Sequence, residues 1–222
     1  LRLEPDMDIL YQDNRIAVCL KPPGVLSTDE PGGMPSLLRA ALGTDCVRSV
    51  HRLDAAVGGV MVFARSRMAA SILSEQIREH RFQKEYLAVV HGMLPADGRM
   101  QDFLLRDRRD GLTRVAEAGT PGAKEARLSY RVLARIDGKT LVRVALETGR
   151  THQIRVQFSA RGHALLGDRK YGRGEAGGIA LWSCRIGLFH PESGMWMTFS
   201  HAPNGIPQFS DFEDCFSNAV DV

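Results

Sequence analysis

The chain has 222 residues and a mass of 24.5 kDa, which at roughly 100–200 residues per domain allows one large domain or two small ones. Its composition is 44% hydrophobic and 25% charged, close to the globular average, which argues against wholesale disorder and against a fibrous protein. The 29 basic and 26 acidic residues give a net charge of +3. That charge permits a polyanionic partner without requiring one.

The four cysteines are too far apart to form a metal-ligating pair and too few for a disulfide scaffold. They are Cys19, Cys46, Cys184 and Cys215. No apolar run approaches the roughly 20 residues that a membrane helix requires, and the first residues lack the apolar core of a signal peptide. We therefore expect reduced thiols in a cytoplasmic protein that has no membrane partner and binds no metal.

The first predicted elements are two short runs rich in β-branched and apolar residues, 16–20 and 59–64, which are typical of buried strands. A helix is predicted after them, because Ser66 can cap a helix that runs to about His80. The apolar residues of this helix recur every fourth position and so share one face. These residues are Ala69, Leu73 and Ile77.

Three further strands are predicted at 86–90, 128–132 and 141–146; in the last two, apolar and polar residues alternate, as in strands with one solvated face. A second helix is predicted to begin after Thr151, its expected N-cap, and to stop at Gly162. Strands outnumber helices, and no segment resembles an interdomain linker. We therefore expect a single domain over the whole chain, with an α+β fold in which helices flank a mixed, mostly antiparallel central sheet.

The modest net charge conceals a basic middle and an acidic end. Between Arg143 and Arg173, seven Lys and Arg residues stand against Glu147 and Asp168, and no Lys or Arg follows Arg185. A concentrated basic face suits a phosphate backbone, because each neutralised phosphate releases counterions. An arginine-rich solvated surface explains the same charge pattern equally well.

Three segments contain candidates for catalysis. HRLD at 51–54 places Asp54 directly before a small apolar strand, where an unpaired buried carboxylate would be costly, so it either faces solvent or has a cationic partner. The segment 147–157 enters the second predicted helix, on which His152 and Arg155 share a face. The third contains Tyr86 in a predicted strand. Taken singly, each has a simpler explanation: a turn-capping Asp, a solvated helix face and core packing.

Taken together and in this order, the three segments resemble the RluA family of pseudouridine synthases. HRLD at 51–54 resembles the catalytic motif of that family, KEYLAVVHG at 84–92 its tyrosine motif, and ETGRTHQIRV at 147–156 with GDRKYG at 167–172 its arginine motif. Weaker similarity extends to 18–25 and 179–191. One motif could arise by chance, but the ordered set covers nearly the whole chain.

The resemblance implies that a uridine in ribosomal or transfer RNA is isomerised to pseudouridine. Asp54 would be the catalytic carboxylate, acting either as a nucleophile on the sugar or through a glycal-like route. Arg155 would pair with Asp54 and keep it ionised. Tyr86 would contact the uracil and help to remove the C5 proton, and Arg52 would fill the space that the extruded base leaves.

The resemblance also implies the RNA contacts and the partners. The side chains expected to bind RNA are Arg52, His51, Arg150, His152, Gln153, Arg169 and Lys170. The isomerisation is redox-neutral and releases no fragment, so it requires no cofactor and no metal, and a monomer is the family's default. Only 50 residues precede His51, and they already include similarity to the catalytic domain. We therefore expect no separate N-terminal RNA-binding domain.

The chain departs from the family pattern at two places. Val57 and Gly58 stand where many relatives have Thr and Ser, and Gln157 stands where a histidine is common. The lost hydroxyls motivate an alternative, a non-catalytic RNA-binding protein that retains the fold. Retention of the three residues assigned to chemistry argues against it. A kinase lacks support because no glycine-rich phosphate loop is present, and a zinc enzyme because no cysteine has ligand spacing.

Overall fold

The structure is a computed structural model, and it describes residues 8–175 and 177–216. The strands are β1 (Ile9–Gln12), β2 (Ile16–Lys21), β3 (Arg48–Ser49), β4 (Gly58–Ala64), β5 (Gln83–His91), β6 (Gly98–Arg106), β7 (Thr113–Ala116), β8 (Lys124–Ile136), β9 (Lys139–Leu146), β10 (Leu181–Phe189) and β11 (Trp196–Ser200). The helices are α1 (Met34–Leu42), α2 (Arg67–Arg78), α3 (Gln153–Ser159) and a 3₁₀ helix (Pro207–Cys215). The predicted α+β class is confirmed, and all five predicted strands are present.

The chain divides into two compact units, which are described separately below. Of the described residues, the first unit contains 8–82 and 185–201, and the second contains 83–175, 177–184 and 202–216. No helix in the described ranges is both long and apolar enough to cross a membrane. All four cysteines lie within those ranges and form no disulfide there.

In the first unit, β2 pairs antiparallel with β1 and with β4, and β3 also pairs antiparallel with β4. β11 pairs antiparallel with the part of β10 that belongs to this unit, from Arg185 to Phe189. Every residue of β4 is buried, which explains why its sequence is a continuous run of small and apolar residues rather than an alternating one.

Helix α2 covers one face of the first unit's strands. Ser66 Oγ accepts a hydrogen bond from Ala69 N at 3.0 Å, so the predicted N-cap is confirmed. Ala69 and Leu73 are buried in a cluster with Val60 and Val62 of β4. The four-residue spacing of apolar side chains therefore identified the buried face of the helix correctly.

The second unit is built on an antiparallel sheet with strand order β5-β9-β8-β6-β7. β8 and β9 are joined by Asp137 and Gly138, which both adopt positive φ angles of 47° and 72°. Two left-handed residues in succession form the turn type whose twist matches that of the flanking strands, and Asp-Gly favours it. The long β8–β9 hairpin therefore has a local cause in the sequence.

Helix α3 starts later than its sequence predicts. The N-cap is His152, which has a φ of 55° and makes no side-chain cap, rather than Thr151. The left-handed conformation of His152 turns the chain sharply before the helix can begin. Helix α3 ends at Ser159, and the chain continues through a turn in which Gly162 N donates to Ser159 O at 2.9 Å.

Candidate active site

Asp54 lies in the loop between β3 and β4, and hydrogen bonds fix the backbone of this loop. Ser27 Oγ accepts a hydrogen bond from Leu53 N at 3.1 Å and donates one to Leu53 O at 2.8 Å. Val57 N donates to Asp54 O at 3.0 Å and closes a tight turn. Ser27 and Leu53 are buried, whereas Asp54 is half-buried. The carboxylate is therefore carried by a backbone that is held on both sides.

A buried lysine holds the turn that follows Asp54. Lys21 is fully buried at the end of β2, and its ammonium donates to the carbonyl oxygens of Pro22, Ala55 and Val57 at 2.9, 2.9 and 2.8 Å. Burial lowers the pKa of Lys21 to about 8, and the negative charge of Asp54 partly opposes this effect. Because three carbonyl acceptors match the three donors of an ammonium, Lys21 both shapes the turn and places a positive charge near Asp54.

Sequence analysis assigned no role to Ser27 or Lys21. Lys21 belongs to the 18–25 segment that showed weaker similarity to the family. A signal was available there, because a lysine that ends a strand of otherwise apolar residues needs several acceptors when it is buried.

The two residues that begin the HRLD segment have different surroundings. His51 is 9% exposed; its Nε2 accepts a hydrogen bond from Val62 N at 3.0 Å, and its ring packs against Phe82 with centroids 5.4 Å apart. Arg52 is exposed. His51 therefore fastens the loop to β4, while Arg52 is accessible for a partner. The predicted contacts of both with RNA stay predictions.

Tyr86 lies in the second unit, at the point where β5 becomes fully buried. It is 6% exposed and faces Val144 across the β5–β9 pair. Because the register of this antiparallel pair is continuous from Glu85 to His91, the sheet fixes the position of the Tyr86 ring.

Arg155 lies in α3 and is held by a carboxylate from the GDRKYG segment. Its Nε and Nη2 donate to Asp168 Oδ2 and Oδ1 at 2.8 and 2.7 Å, a bidentate arrangement that fixes the plane of the guanidinium. Its guanidinium carbon also lies 5.1 Å from the centroid of the Tyr171 ring. Burial alone would raise the pKa of Asp168, but Arg155 and the amides of Lys170 and Tyr171 outweigh it and lower this pKa below its ordinary value.

The loop between β9 and α3 is tied together by two side chains. Thr148 Oγ1 accepts from Arg127 N and donates to Gln153 Oε1, both at 2.8 Å. Gln153 Oε1 also accepts from Arg150 N at 3.0 Å, and Gln153 Nε2 donates to Arg127 O at 3.0 Å. Gln153 is buried, so its amide builds the loop; its predicted contact with RNA stays a prediction.

His152 is linked to the same GDRKYG segment. Tyr171 Oη lies 2.7 Å from His152 Nδ1 and accepts a hydrogen bond from Thr113 N at 2.8 Å. The two halves of the arginine motif therefore meet in space, since Asp168 holds Arg155 and Tyr171 holds His152.

The remaining predicted RNA contacts lie nearer the surface. Arg169 and Lys170 are exposed, while their backbone is anchored because Lys170 N and Tyr171 N donate to Asp168 Oδ1 at 2.9 and 3.1 Å. Arg150 is half-buried, and its Nε donates to Glu125 O at 2.7 Å.

Val57 and Gln157, two residues that depart from the family pattern, both lie at buried positions. The backbone of Val57 accepts a hydrogen bond from the Lys21 ammonium and donates one to Asp54 O. Gln157 is fully buried, and its Nε2 donates to Asp102 Oδ2 at 2.7 Å.

The candidate residues are divided between the two units. His51, Arg52 and Asp54 belong to the first unit, and the other predicted site residues belong to the second. Within the second unit, the structure brings Arg155 and His152 together with Asp168 and Tyr171. Neither Asp168 nor Tyr171 received a role from the sequence.

Comparisons with known proteins agree with these motifs. The sequence model of a family described as RNA pseudouridylate synthase matches residues 15–160. The dual-specificity RNA pseudouridine synthase RluA of Yersinia pestis is 38% identical over 206 residues, which cover 87% of this chain and 97% of that protein. The ribosomal large subunit pseudouridine synthase D of Xylella fastidiosa is 37% identical over 177 residues, which cover 75% of this chain and 52% of that protein.

A solved structure shares the fold. Human RNA pseudouridylate synthase domain containing 1 matches with a TM-score of 0.76 at 23% identity, and the match covers 90% of this chain and 84% of that one. The family match spans more than half of this chain, and the Yersinia protein is covered almost from end to end. The chain therefore belongs to the RluA family of RNA pseudouridine synthases.

Proposed function

We propose that this enzyme converts a uridine of ribosomal or transfer RNA into pseudouridine and that Asp54 is the catalytic carboxylate. Family membership supports the reaction, and the name of the Xylella relative supports ribosomal RNA as one substrate class. The main support for the role of Asp54 is the fixed backbone of its loop. Ser27 holds the residue before the carboxylate, and Lys21 holds the turn after it.

The reaction exchanges one bond to the sugar for another. The bond between C1′ and N1 breaks, the uracil rotates, and C1′ bonds to C5; C5 then loses its proton and N1 gains one. Asp54 either attacks C1′ or assists through a glycal-like intermediate. Both routes require an ionised carboxylate in a fixed position, because misplacement of a catalytic group by about 1 Å can cost 100-fold in rate.

Arg155 supplies the cation in this proposal. A guanidinium has five N–H donors, so Arg155 can serve Asp54 while its Nε and Nη2 hold Asp168. A cation beside Asp54 favours the charged form that the reaction needs. Tyr86 contacts the uracil and helps to remove the C5 proton.

The exposed cations bind the RNA in this proposal. A target base inside a helix has to be extruded, and Arg52, which is exposed beside Asp54, fills the space that it leaves. Arg169 and Lys170 contact the RNA backbone with Arg150 and His152. The buried side chains of His51 and Gln153 contribute by holding the two loops.

Pseudouridine mapping across total cellular RNA, with and without the gene, tests the proposal. We expect loss of one site or a few sites, which wild-type protein restores and Asp54→Asn does not. Asp45→Asn is the matched control, because Asp45 is exposed in the same unit and has no assigned role. A gene deletion that removes no pseudouridine would support the non-catalytic alternative, and rescue by Asp54→Asn would refute the role of Asp54.

A further inference from the structure

The tyrosine motif contains a lysine that the proposed reaction does not use. Lys84 precedes Tyr86 by two positions on β5, so both side chains project from the same face of the strand, about 7 Å apart along it. Lys84 is half-buried, and burial lowers the pKa of its ammonium below the ordinary value. A cation therefore lies beside the residue that contacts the uracil in our proposal.

A glycine makes room for this ammonium. A Cβ at position 149 would lie 3.1 Å from Lys84 Nζ, closer than an ordinary contact. The φ angle of Gly149 is not left-handed, so backbone conformation does not demand a glycine there. Gly149 lies in the loop that precedes α3, and any larger residue there would press on the Lys84 ammonium.

The described part of the chain provides Lys84 with no countercharge. Within residues 8–175 and 177–216, its ammonium forms no hydrogen bond and no ion pair, and burial is the one influence on its pKa. The neighbouring carboxylate, Glu85, pairs with Arg143 instead. A partly desolvated cation without an anion is costly, and an anionic ligand would remove that cost.

We propose that Lys84 binds a phosphate of the RNA backbone next to the target uridine. A phosphodiester supplies the missing negative charge, whereas uracil is neutral. Lys84 and Tyr86 project from the same face of β5. A phosphate bound by Lys84 would therefore lie within about one nucleotide of the base that Tyr86 contacts. This inference rests on the proposed function and extends it from the base to the backbone of the substrate.

Binding of a twelve-residue oligouridylate tests the contact, since every register of this probe offers a uridine to the site. Lys84→Met is expected to bind about tenfold more weakly, which is the loss of one charge-assisted hydrogen bond. The slope of log affinity against log salt concentration should also fall by about 0.7, the value for one phosphate of a single strand. Unfolding curves establish that the variant is folded.

The control is Lys124→Met, which makes the same change in net charge at an exposed lysine of the same unit. It should bind the probe within twofold of wild type, with the wild-type salt slope. Equal losses in the two variants would overturn the inference, because they would show an unspecific effect of charge. Wild-type affinity in Lys84→Met would overturn it as well.

Gly149→Ala provides an independent test that keeps the charge. The added methyl group displaces the ammonium, and the flexible end of a lysine can yield without unfolding the chain. We expect about threefold weaker binding in the wild-type background and no further loss in the Lys84→Met background, since the two changes act on one contact. Additive losses would contradict the inference.

The readout separates this inference from the proposed function because binding requires no turnover. Protein that binds the probe through Lys84 but forms no pseudouridine would refute the proposed function alone. An active enzyme in which Lys84→Met leaves affinity and salt slope unchanged would refute the phosphate contact alone.

Discussion

Replacement of Lys21 by methionine removes the buried positive charge while nearly preserving the shape of the side chain. The side chain keeps most of its volume but loses an ammonium that is fully buried and bound to three carbonyl oxygens. Three carbonyl groups lose their donor, at roughly 1–3 kcal/mol each, and this loss outweighs the relief from removing a buried charge, so we expect the free energy of unfolding to fall by about 2–4 kcal/mol at pH 7. Activity should fall too, because two of the carbonyls belong to the turn after Asp54.

The stability difference between wild type and Lys21→Met should depend on pH. Burial lowers the pKa of Lys21 from 10.5 to about 8, which corresponds to about 3 kcal/mol of destabilisation of the charged form in the folded state. Below pH 8 the wild type bears this whole cost. As the pH rises from 8 towards 10.5, folded Lys21 loses its proton before unfolded Lys21 does, so the unfolded state binds more protons and wild-type stability rises.

Methionine does not titrate, so the gap between the two proteins should widen by about 2 kcal/mol between pH 7 and pH 9.5. Urea unfolding of both proteins at the two pH values, followed by tryptophan fluorescence, measures the gap. Groups that titrate in both proteins cancel in the comparison. A gap that is the same at both pH values would refute the reasoning, because it would mean that Lys21 is not buried as an ammonium.

Three further predictions concern the carboxylates and Arg155. Arg155→Ala should lower the free energy of unfolding by about 3–5 kcal/mol, because it leaves the buried Asp168 carboxylate without its cation; an unchanged melting temperature would show that the pair contributes nothing. The pKa of Asp168 lies below its ordinary 3.8, so its ion pair stabilises the protein above that pH and is lost as the pH falls further. Asp168→Asn should therefore flatten the loss of stability between about pH 5 and pH 2, as measured by acid titration of circular dichroism. Asp54→Asn should abolish pseudouridine formation in purified protein while RNA affinity stays within a few-fold, and residual turnover would count against the assignment.

Elements whose causes are local could be predicted from the sequence. Ser66 caps α2 and its apolar residues face the core, because capping and four-residue spacing act within one helix. The start of α3 was predicted wrongly because a distant residue affects it. His152 is held in a left-handed conformation beside Tyr171, 19 positions along the chain, and no local pattern encodes that contact.

The candidate site shows the same division. The motifs identified the residues that we expect to contact the substrate. They did not identify most of the residues whose hydrogen bonds position these side chains. Ser27 reaches Leu53 across 26 positions, and Lys21 reaches Val57 across 36. The partner that the resemblance implies for Arg155 is Asp54, and the structure adds Asp168. Such supports depend on tertiary contacts, which neither spacing nor composition specifies.

The turn from Asp168 to Tyr171 has a consequence for how substrate choice can diverge. The Asp168 carboxylate accepts hydrogen bonds from the main-chain amides of Lys170 and Tyr171. Any amino acid except proline provides such an amide at position 170. The outward side chains at 169 and 170 can therefore be exchanged without loosening the inner pair that orients Arg155. In the proposed function these two side chains contact RNA, so substitutions there would change the RNA contacts while the Asp168–Arg155 pair stays in place.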